Sequence, residues 1–414
     1  MYNTVFFIII GILVLGFILE RWLDTLNLKN TKDDLPEELK DVYDEEHYKK
    51  SQTYKRTNTR FSFLTSSFNL ILILTVLFLG IFAWINKLAF TWADNYILVA
   101  LLFFGVLMLV SDLLNTPFDI YDTFVIEERF EFNKTTPKTY ITDKLKGWLV
   151  GAIIGGGLLA LVIWFYQLTG KNFWIWAWIL SAAFMIFMTM FYSNLIVPLF
   201  NKQTPLEEGE LRTAIEEFSE KVGFKLKNIY VIDGSKRSTK ANAYFTGLGA
   251  KKRIVLYDTL IEDLSKEEIV AVLAHEIGHY KKKHTLSGTI LSILQTGLTL
   301  FLFSLFLNNP QLSAALGVDE PNFHISMIAF GILYTPISIV IGLLFNVFSR
   351  KNEYEADRFA VENYSAQPLI SALKKLSRKN LSNLTPHPLY VKFHYSHPPL
   401  LQRVKAMKSI EGSN

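Results

Sequence analysis

Seven stretches of the chain run apolar near residues 4–19, 62–85, 96–116, 147–168, 173–199, 286–307 and 323–349. Most are close to the roughly 17 to 25 residues that a helix needs to cross the hydrocarbon of a bilayer. The pattern predicts a mainly α membrane protein with seven transmembrane helices. The first stretch opens the chain without a basic leader or a small-residue cleavage site, so it reads as a retained anchor. No internal repeat or low-complexity segment interrupts the pattern.

The polar residues between these stretches are not evenly charged. Lys and Arg number 0 before the first span, then 9, 1, 5, 1, 15 and 0 in the successive connections and 11 in the tail, which accounts for all 42. A low, high, low, high alternation is the signature of cytoplasmic loops retaining positive charge. It places the N-terminus outside and the segments 20–61, 117–146, 200–285 and 350–414 together on the cytoplasmic face. The chain then divides into a five-span membrane domain (1–199), a polar unit (200–285), two further spans (286–349) and a C-terminal segment (350–414).

Within 200–285 the short β-branched and aromatic runs at 228–235 and 252–260 predict strands. Asn242, Ala243, Tyr244 and Phe245 form a third extended piece ending at Gly247. Ser265 followed by Glu268 is a capping box. From there Ile269, Val272, Leu273 and Ile277 keep helical spacing, and no proline intervenes. One helix is therefore expected from Lys266 into the sixth span.

Composition narrows the chemistry. Half the residues are hydrophobic and 14% are aromatic, and the net charge is only +4 and scattered over loops, which gives no stripe for nucleic acid. With no cysteine, disulfides, thiol catalysis and Cys-type zinc sites are excluded. A metal here needs His, Asp or Glu.

On the expected helix His275 and His279 are four apart, so their rings leave one face and can share a metal. Glu276 sits about 100° round from His275, poorly placed as a ligand and well placed to reach a metal-activated water. A chance HExxH in a chain with eight histidines arises on the order of once in a hundred such sequences. A catalytic zinc needs a third protein ligand and an open position. Past the seventh span, in 349–360, Glu353 and Asp357 share a helix face while Glu355 points elsewhere. Glu353 is the expected third ligand, and Asp357 can accept the free N–H of a ligating histidine. Farther on, His397 and Arg403 offer groups for an oxyanion. A second metal pair of His394 and His397 is disfavoured by Pro398 and Pro399. His47, His284, His324 and His387 have no spacing partner and read as structural or solvated.

Together the seven spans, the segment 126–136 (IEERFEFNKTT), NAYF, HEIGH, NEYEAD and the SHPP…R tail resemble the integral-membrane CAAX prenyl proteases of the a-factor-converting type over nearly the whole chain. The resemblance implies a zinc endopeptidase whose helices enclose a water-filled chamber capped by a small α+β, gluzincin-like catalytic domain on the cytoplasmic side. Such a chamber lets zinc face water inside a bilayer. It further implies one zinc per chain held by His275, His279 and Glu353, with Glu276 as base and Asp357 behind the ligands. Asn242, His397 and Arg403 would touch substrate or transition state. Asp112, Asn115, Asn194 and Gln295 would be candidates to line the chamber.

The expected reaction is metal-assisted peptide hydrolysis, with the NAYF strand holding the peptide by edge pairing. The partners are peptides, lipid-anchored ones included, and membrane lipids. A Lys-, Asn- and Ile-rich chain without an ER-retention tail suggests a bacterial inner membrane. An HtpX-type quality-control protease has fewer spans, and a site-2-type protease carries HExxH inside a span, whereas Glu267, Glu268 and Lys281–Lys283 flank the motif here. A seven-helix transporter would explain the spans but not the zinc set.

Overall fold

The computed structural model describes residues 2–31, 35, 37–226, 229–246 and 253–412, with backbone alone at 245–246. The expected strand ends at Asn228 and Lys252 and the turn at Gly247 lie outside the described residues. The first half is helical: α1 (Thr4–Lys29), α2 (Glu45–Phe78), α3 (Ile81–Trp92), α4 (Tyr96–Tyr121), α5 (Pro137–Val150), α6 (Gly156–Thr169), α7 (Phe173–Leu195) and the short α8 (Val197–Phe200). Their starts follow local chemistry. Asn3, Asp44, Asn95 and Thr136 each accept a hydrogen bond from a first-turn backbone N–H, which satisfies donors a helix start leaves open.

Six described helical runs are long and apolar enough to cross a membrane: Thr4–Lys29, Glu45–Phe78, Tyr96–Glu127, Pro137–Phe200, His284–Phe306 and Phe323–Asn363. The expected spans 147–168 and 173–199 fall together in the 64-residue run. There a tight turn at Gly170–Asn172 separates α6 from α7, which pack on each other. Gly170 has φ of 54°, a conformation that costs glycine little. The expected span 62–85 also differs. Helix α2 ends at Phe78, Gly80 turns the chain at φ 64°, and α3 continues with Phe82, Ile85 and Ala89 buried but Trp84 and Trp92 exposed. Exposed tryptophans beside a span suit the membrane interface.

The polar unit holds a four-stranded sheet in the order β1 (Gln203–Pro205), β2 (Ile229–Ile232), β4 (Arg253–Tyr257), β3 (Ala243–Thr246). Strand β2 runs parallel to β4, and β1 and β3 are antiparallel to their neighbours. The sequence reading missed β1, which is three residues long and contains Pro205. Proline is tolerated at a sheet edge, where no ladder N–H is required. The run expected to be extended to 260 turns at Asp258 into α10 (Asp258–Asp263).

Helix α9 (Glu210–Lys221) and helix α11 (Lys266–Lys281) pack on each other. The capping box forms: Ser265 N–H donates to Glu268 Oε2 at 2.7 Å, and Glu268 N–H donates to Ser265 Oγ at 3.3 Å. Ile269 to His275, with Ile277 and Gly278, are all buried, as befits a helix covered on every side. The expected unbroken helix does not occur. Lys283 adopts φ 60°, and a new helix, α12 (His284–Phe306), starts there. After the short α13 (Pro310–Ala315) comes α14 (Phe323–Asn363), which runs unbroken for 41 residues from the last apolar stretch into the polar layer. Helices α15 (Ala366–Lys379), α16 (Pro388–His394) and α17 (Leu400–Glu411) close that layer. Ile254, Leu256, Leu273, Ile277, Leu369, Val404 and Met407 share its core.

The segment 126–136 ties the two halves together. Lys134 N–H donates to Arg237 O, Thr239 N–H donates to Phe132 O, and Asn133 bridges Ser238. Lys240 Nζ reaches Glu127 Oε2 at 2.7 Å, and Arg237 holds Asp143 with two hydrogen bonds at 2.7 and 2.9 Å.

Candidate metal centre

Helices α11 and α14 bring the predicted residues together because Gly278 allows them to touch. A Cβ on Gly278 would lie 3.1 Å from Ala356 Cα, Ala356 O and Phe359 Cβ. At that approach the face carrying His275 and His279 meets the face carrying Glu353 and Asp357. His275 Nε2 stands 3.1 Å from His279 Nε2. Glu353 Oε1 is 3.2 Å from His279 Nε2, and its Oε2 is 3.5 Å from His275 Nε2. One ligand atom from each of the three residues lies within 4.8 Å of the others.

This donor set fits zinc. Tetrahedral ligands at about 2.0–2.1 Å from zinc stand about 3.3 Å apart, and the three separations bracket that spacing. Two imidazole Nε2 atoms facing each other can share only one proton, and Glu353 Oε2 is buried without a hydrogen-bond partner among the described residues. A buried carboxylate oxygen whose nearest cationic groups, His275 Nε2 and Arg403 Nη1, stand no closer than 3.5 Å, beside two converging imidazoles, suits a cation. Burial alone would depress the His275 pKa, but hydrogen bonds to Asp357 and Glu353 override it and raise it to about 9. Burial would likewise raise the Glu353 pKa, yet the histidines hold it well below the usual range. The pocket therefore keeps a proton where a metal ion would supply the charge.

Around this trio the partners are specific. Asp357 Oδ1 is 2.9 Å from His275 Nδ1. Arg403, on α17, is buried and grips Asp357 in a fork, Nη2 to Oδ1 at 2.6 Å and Nε to Oδ2 at 2.8 Å. Its Nη1 reaches 3.5 Å from Glu353 Oε2. His397, in the loop before α17, is exposed and has Nε2 3.3 Å from Glu353 Oε1. Glu276 is partly exposed and forms no hydrogen bond or ion pair with the described residues.

The remaining expected residues lie elsewhere. Asn242 is exposed, its carbonyl accepts from Tyr257 N–H, and its Oδ1 accepts from Ala243 N–H. Ala243, Tyr244 and Phe245 pair with Leu256, Val255 and Ile254 as the edge strand β3, which packs near α11. His284, read as structural or solvated, is buried beside the trio. Its Nδ1 is 3.0 Å from His279 Nδ1 and its Nε2 is 3.2 Å from Glu355 Oε2. Regular helical spacing hid this contact, because the break at Lys283 creates it. Glu355 does point away from the trio, as expected.

Residues 205–411 match peptidase family M48, and residues 24–202 match the CAAX prenyl protease N-terminal region with its five membrane helices. The chain belongs to peptidase family M48. It is 37% identical to CAAX prenyl protease 1 homolog of Arabidopsis thaliana over 96% of both chains, and 37% identical to CAAX prenyl protease 1 of Saccharomyces cerevisiae over 92% of this chain and 89% of that one. The crystal structure of S. mikatae Ste24p is similar across 98% of this chain and 99% of that chain, with a TM-score of 0.92 and 37% identity. This M48 member is an integral, multi-pass membrane protein and a zinc metalloendopeptidase.

Proposed function

We propose that His275, His279 and Glu353 hold the zinc and that Glu276 is the general base. The observation carrying this reading is the convergence of two elements far apart in the chain on three donor atoms at ligand spacing. Bound there, zinc supplies a Lewis acid that lowers the pKa of water toward about 7 and polarises the scissile carbonyl. Glu276, free of other partners, takes the proton from water and returns it to the leaving amine. Asp357 accepts the Nδ1–H of His275 and fixes its tautomer, while the Arg403 fork holds Asp357 in place. Arg403 thus acts chiefly behind the ligands, although its Nη1 faces Glu353. His397 stands on the open side, where a donor stabilises the developing oxyanion. The edge of β3, free among the described residues, with Asn242 just before it and Ala243, Tyr244 and Phe245 within it, gives an extended peptide a backbone ladder to join.

The 64-residue run crosses the membrane twice around Gly170, which makes seven crossings. The loop charges then put residues 200–285 and 350–414 on the cytoplasmic face, and composition favours a bacterial inner membrane. The apolar windows of the six runs are only 6% to 17% buried, and a Cβ added at Gly11, Gly105, Gly288, Gly331 or Gly342 would meet nothing within 4 Å. Helices so lightly covered suit a wall around a wet chamber better than a solid bundle. A site at the mouth of that wall admits a short or unfolded peptide and excludes a folded domain.

The substrate class follows from this placement and from the relatives' names: peptides tethered to the membrane by a prenyl group or an apolar segment. Mass spectrometry of products from matched prenylated, unprenylated and transmembrane-anchored peptides, with Glu276→Gln as the blank, tests it. Tethered peptides are expected to be cut near their anchor. Efficient cutting of a folded soluble protein with tethered peptides left intact would overturn the chamber and leave the zinc site standing.

A further inference from the structure

The break between α11 and α12 has a chemical consequence. On a continuous helix the residue five places after His279 would lie about 140° round the axis and point away from it. Instead α11 closes at Lys281, Lys283 takes the left-handed conformation at φ 60°, and His284 opens α12. The turn folds His284 back onto His279, with ring centroids 5.1 Å apart and a side chain only 8% exposed. Nδ1 of one ring stands 3.0 Å from Nδ1 of the other, and His284 Nε2 is 3.2 Å from Glu355 Oε2.

We infer that His284 is a positioning residue for the metal site: it accepts the Nδ1–H of His279 and, held by Glu355, fixes the tautomer and tilt of that ring. The inference rests on His279 being a ligand through Nε2, the nitrogen that faces His275 and Glu353. The proton inventory then closes in one way. With its Nε2 lone pair committed to the metal, His279 carries its proton on Nδ1. His284 must accept on Nδ1, so its own proton sits on Nε2 and is donated to Glu355. Ligating histidines are held in this manner by an acceptor on the distal nitrogen, and loss of that acceptor weakens metal binding. The two imidazole ligands are thus fixed by different means, His275 by the carboxylate of Asp357 and His279 by an imidazole backed by a carboxylate.

The test uses detergent-purified full-length protein. Zinc affinity is measured by competition with a chelator, and the visible spectrum of the cobalt-substituted protein reports ligand geometry. His284→Phe keeps a ring and removes the acceptor, and it is expected to weaken zinc binding about 10- to 100-fold and shift the cobalt bands. His284→Asn, whose carbonyl can accept the same proton, is expected to recover most of the affinity. Glu355→Gln keeps an acceptor for His284 and should stay near wild type, whereas Glu355→Ala should fall between. Since Glu355 lies on the surface side of α14, its variants report on the relay even if His284→Phe folds poorly. His279→Ala is the reference. If it loses zinc while His284→Phe and Glu355→Ala match wild type in affinity and spectrum, the inference fails and the ligand set stands. If His279→Ala itself binds zinc normally, the ligand assignment fails. Equal losses in His284→Phe and His284→Asn would overturn the acceptor role.

Discussion

Replacing Gly278 by alanine tests whether the contact between α11 and α14 sets the metal geometry. The new methyl would sit 3.1 Å from Ala356 Cα, Ala356 O and Phe359 Cβ, where ordinary contact begins at 3.4 Å and runs to 4 Å. Two of those three atoms are backbone, so the neighbours cannot swing aside and the helices must part by about 0.3 to 0.9 Å, the difference between those distances. His275 and His279 ride on one helix and Glu353 and Asp357 on the other. The 2.9 Å contact from His275 Nδ1 to Asp357 and the 3.2 Å separation of His279 from Glu353 would widen together. Metal sites tolerate about 0.2 Å in ligand distance, so the smallest expected shift already exceeds the tolerance. On stability, overpacking costs about 1–3 kcal/mol, and exchanging a mid-helix glycine for alanine returns about 0.5–1 kcal/mol. The net is a loss of up to about 2.5 kcal/mol. Chelator competition on the purified variant should show weakened zinc binding, and thermal melting at saturating zinc should show a lower midpoint. A Gly278→Ala protein that melts higher than wild type and holds zinc as tightly would refute the reasoning.

Glu276→Gln preserves shape and both histidines, so zinc stoichiometry should hold at one per chain while turnover drops by about 10²- to 10⁴-fold; near-normal cleavage of an anchored peptide would sink the assignment. Glu353→Ala should lower zinc content sharply, read by metal analysis after gel filtration, and a full complement would show that another group closes the site. Arg403→Ala strips the fork from buried Asp357 and leaves it only His275 at 2.9 Å, and breaking a buried ion pair costs up to about 3–5 kcal/mol; a melting midpoint equal to wild type would contradict that coupling. The metal-stripped protein should also depend on pH in a defined sense. The folded-state pKa of His275 is raised from 6.5 to about 9, so its contribution is complete below 6.5 and lost as pH rises through about 9. Zinc replaces that proton, so the loss toward pH 9 should disappear in the loaded protein, whose stability should instead fall below about pH 6.5, where protons compete for the ligand. Melting at pH 6, 7.5 and 9 with and without zinc checks both halves, and stability that rises across this window in the stripped protein would reject the account.

Several features were legible in the sequence because they depend on residues near one another in the chain. The length of an apolar run states whether a helix can reach across a bilayer, and Ser265 and Glu268 announce a helix start that forms as read. Four-residue spacing puts His275 beside His279, and Glu353 on a face with Asp357, whatever surrounds them. Tertiary structure decided what no spacing encodes. Lys283 looks like any lysine in KKKH, yet its left-handed turn ends the helix expected to continue and delivers His284 to His279. Gly278 reads as a filler position inside HEIGH until α14 is laid 3.1 Å from its missing Cβ. Arg403 could have faced a substrate by sequence alone. In the fold it is committed to Asp357, because a guanidinium buried beside two carboxylates is held by the nearer fork. The helix face is set by a local period, whereas which faces meet, and how closely, is set by packing between elements that are distant in sequence.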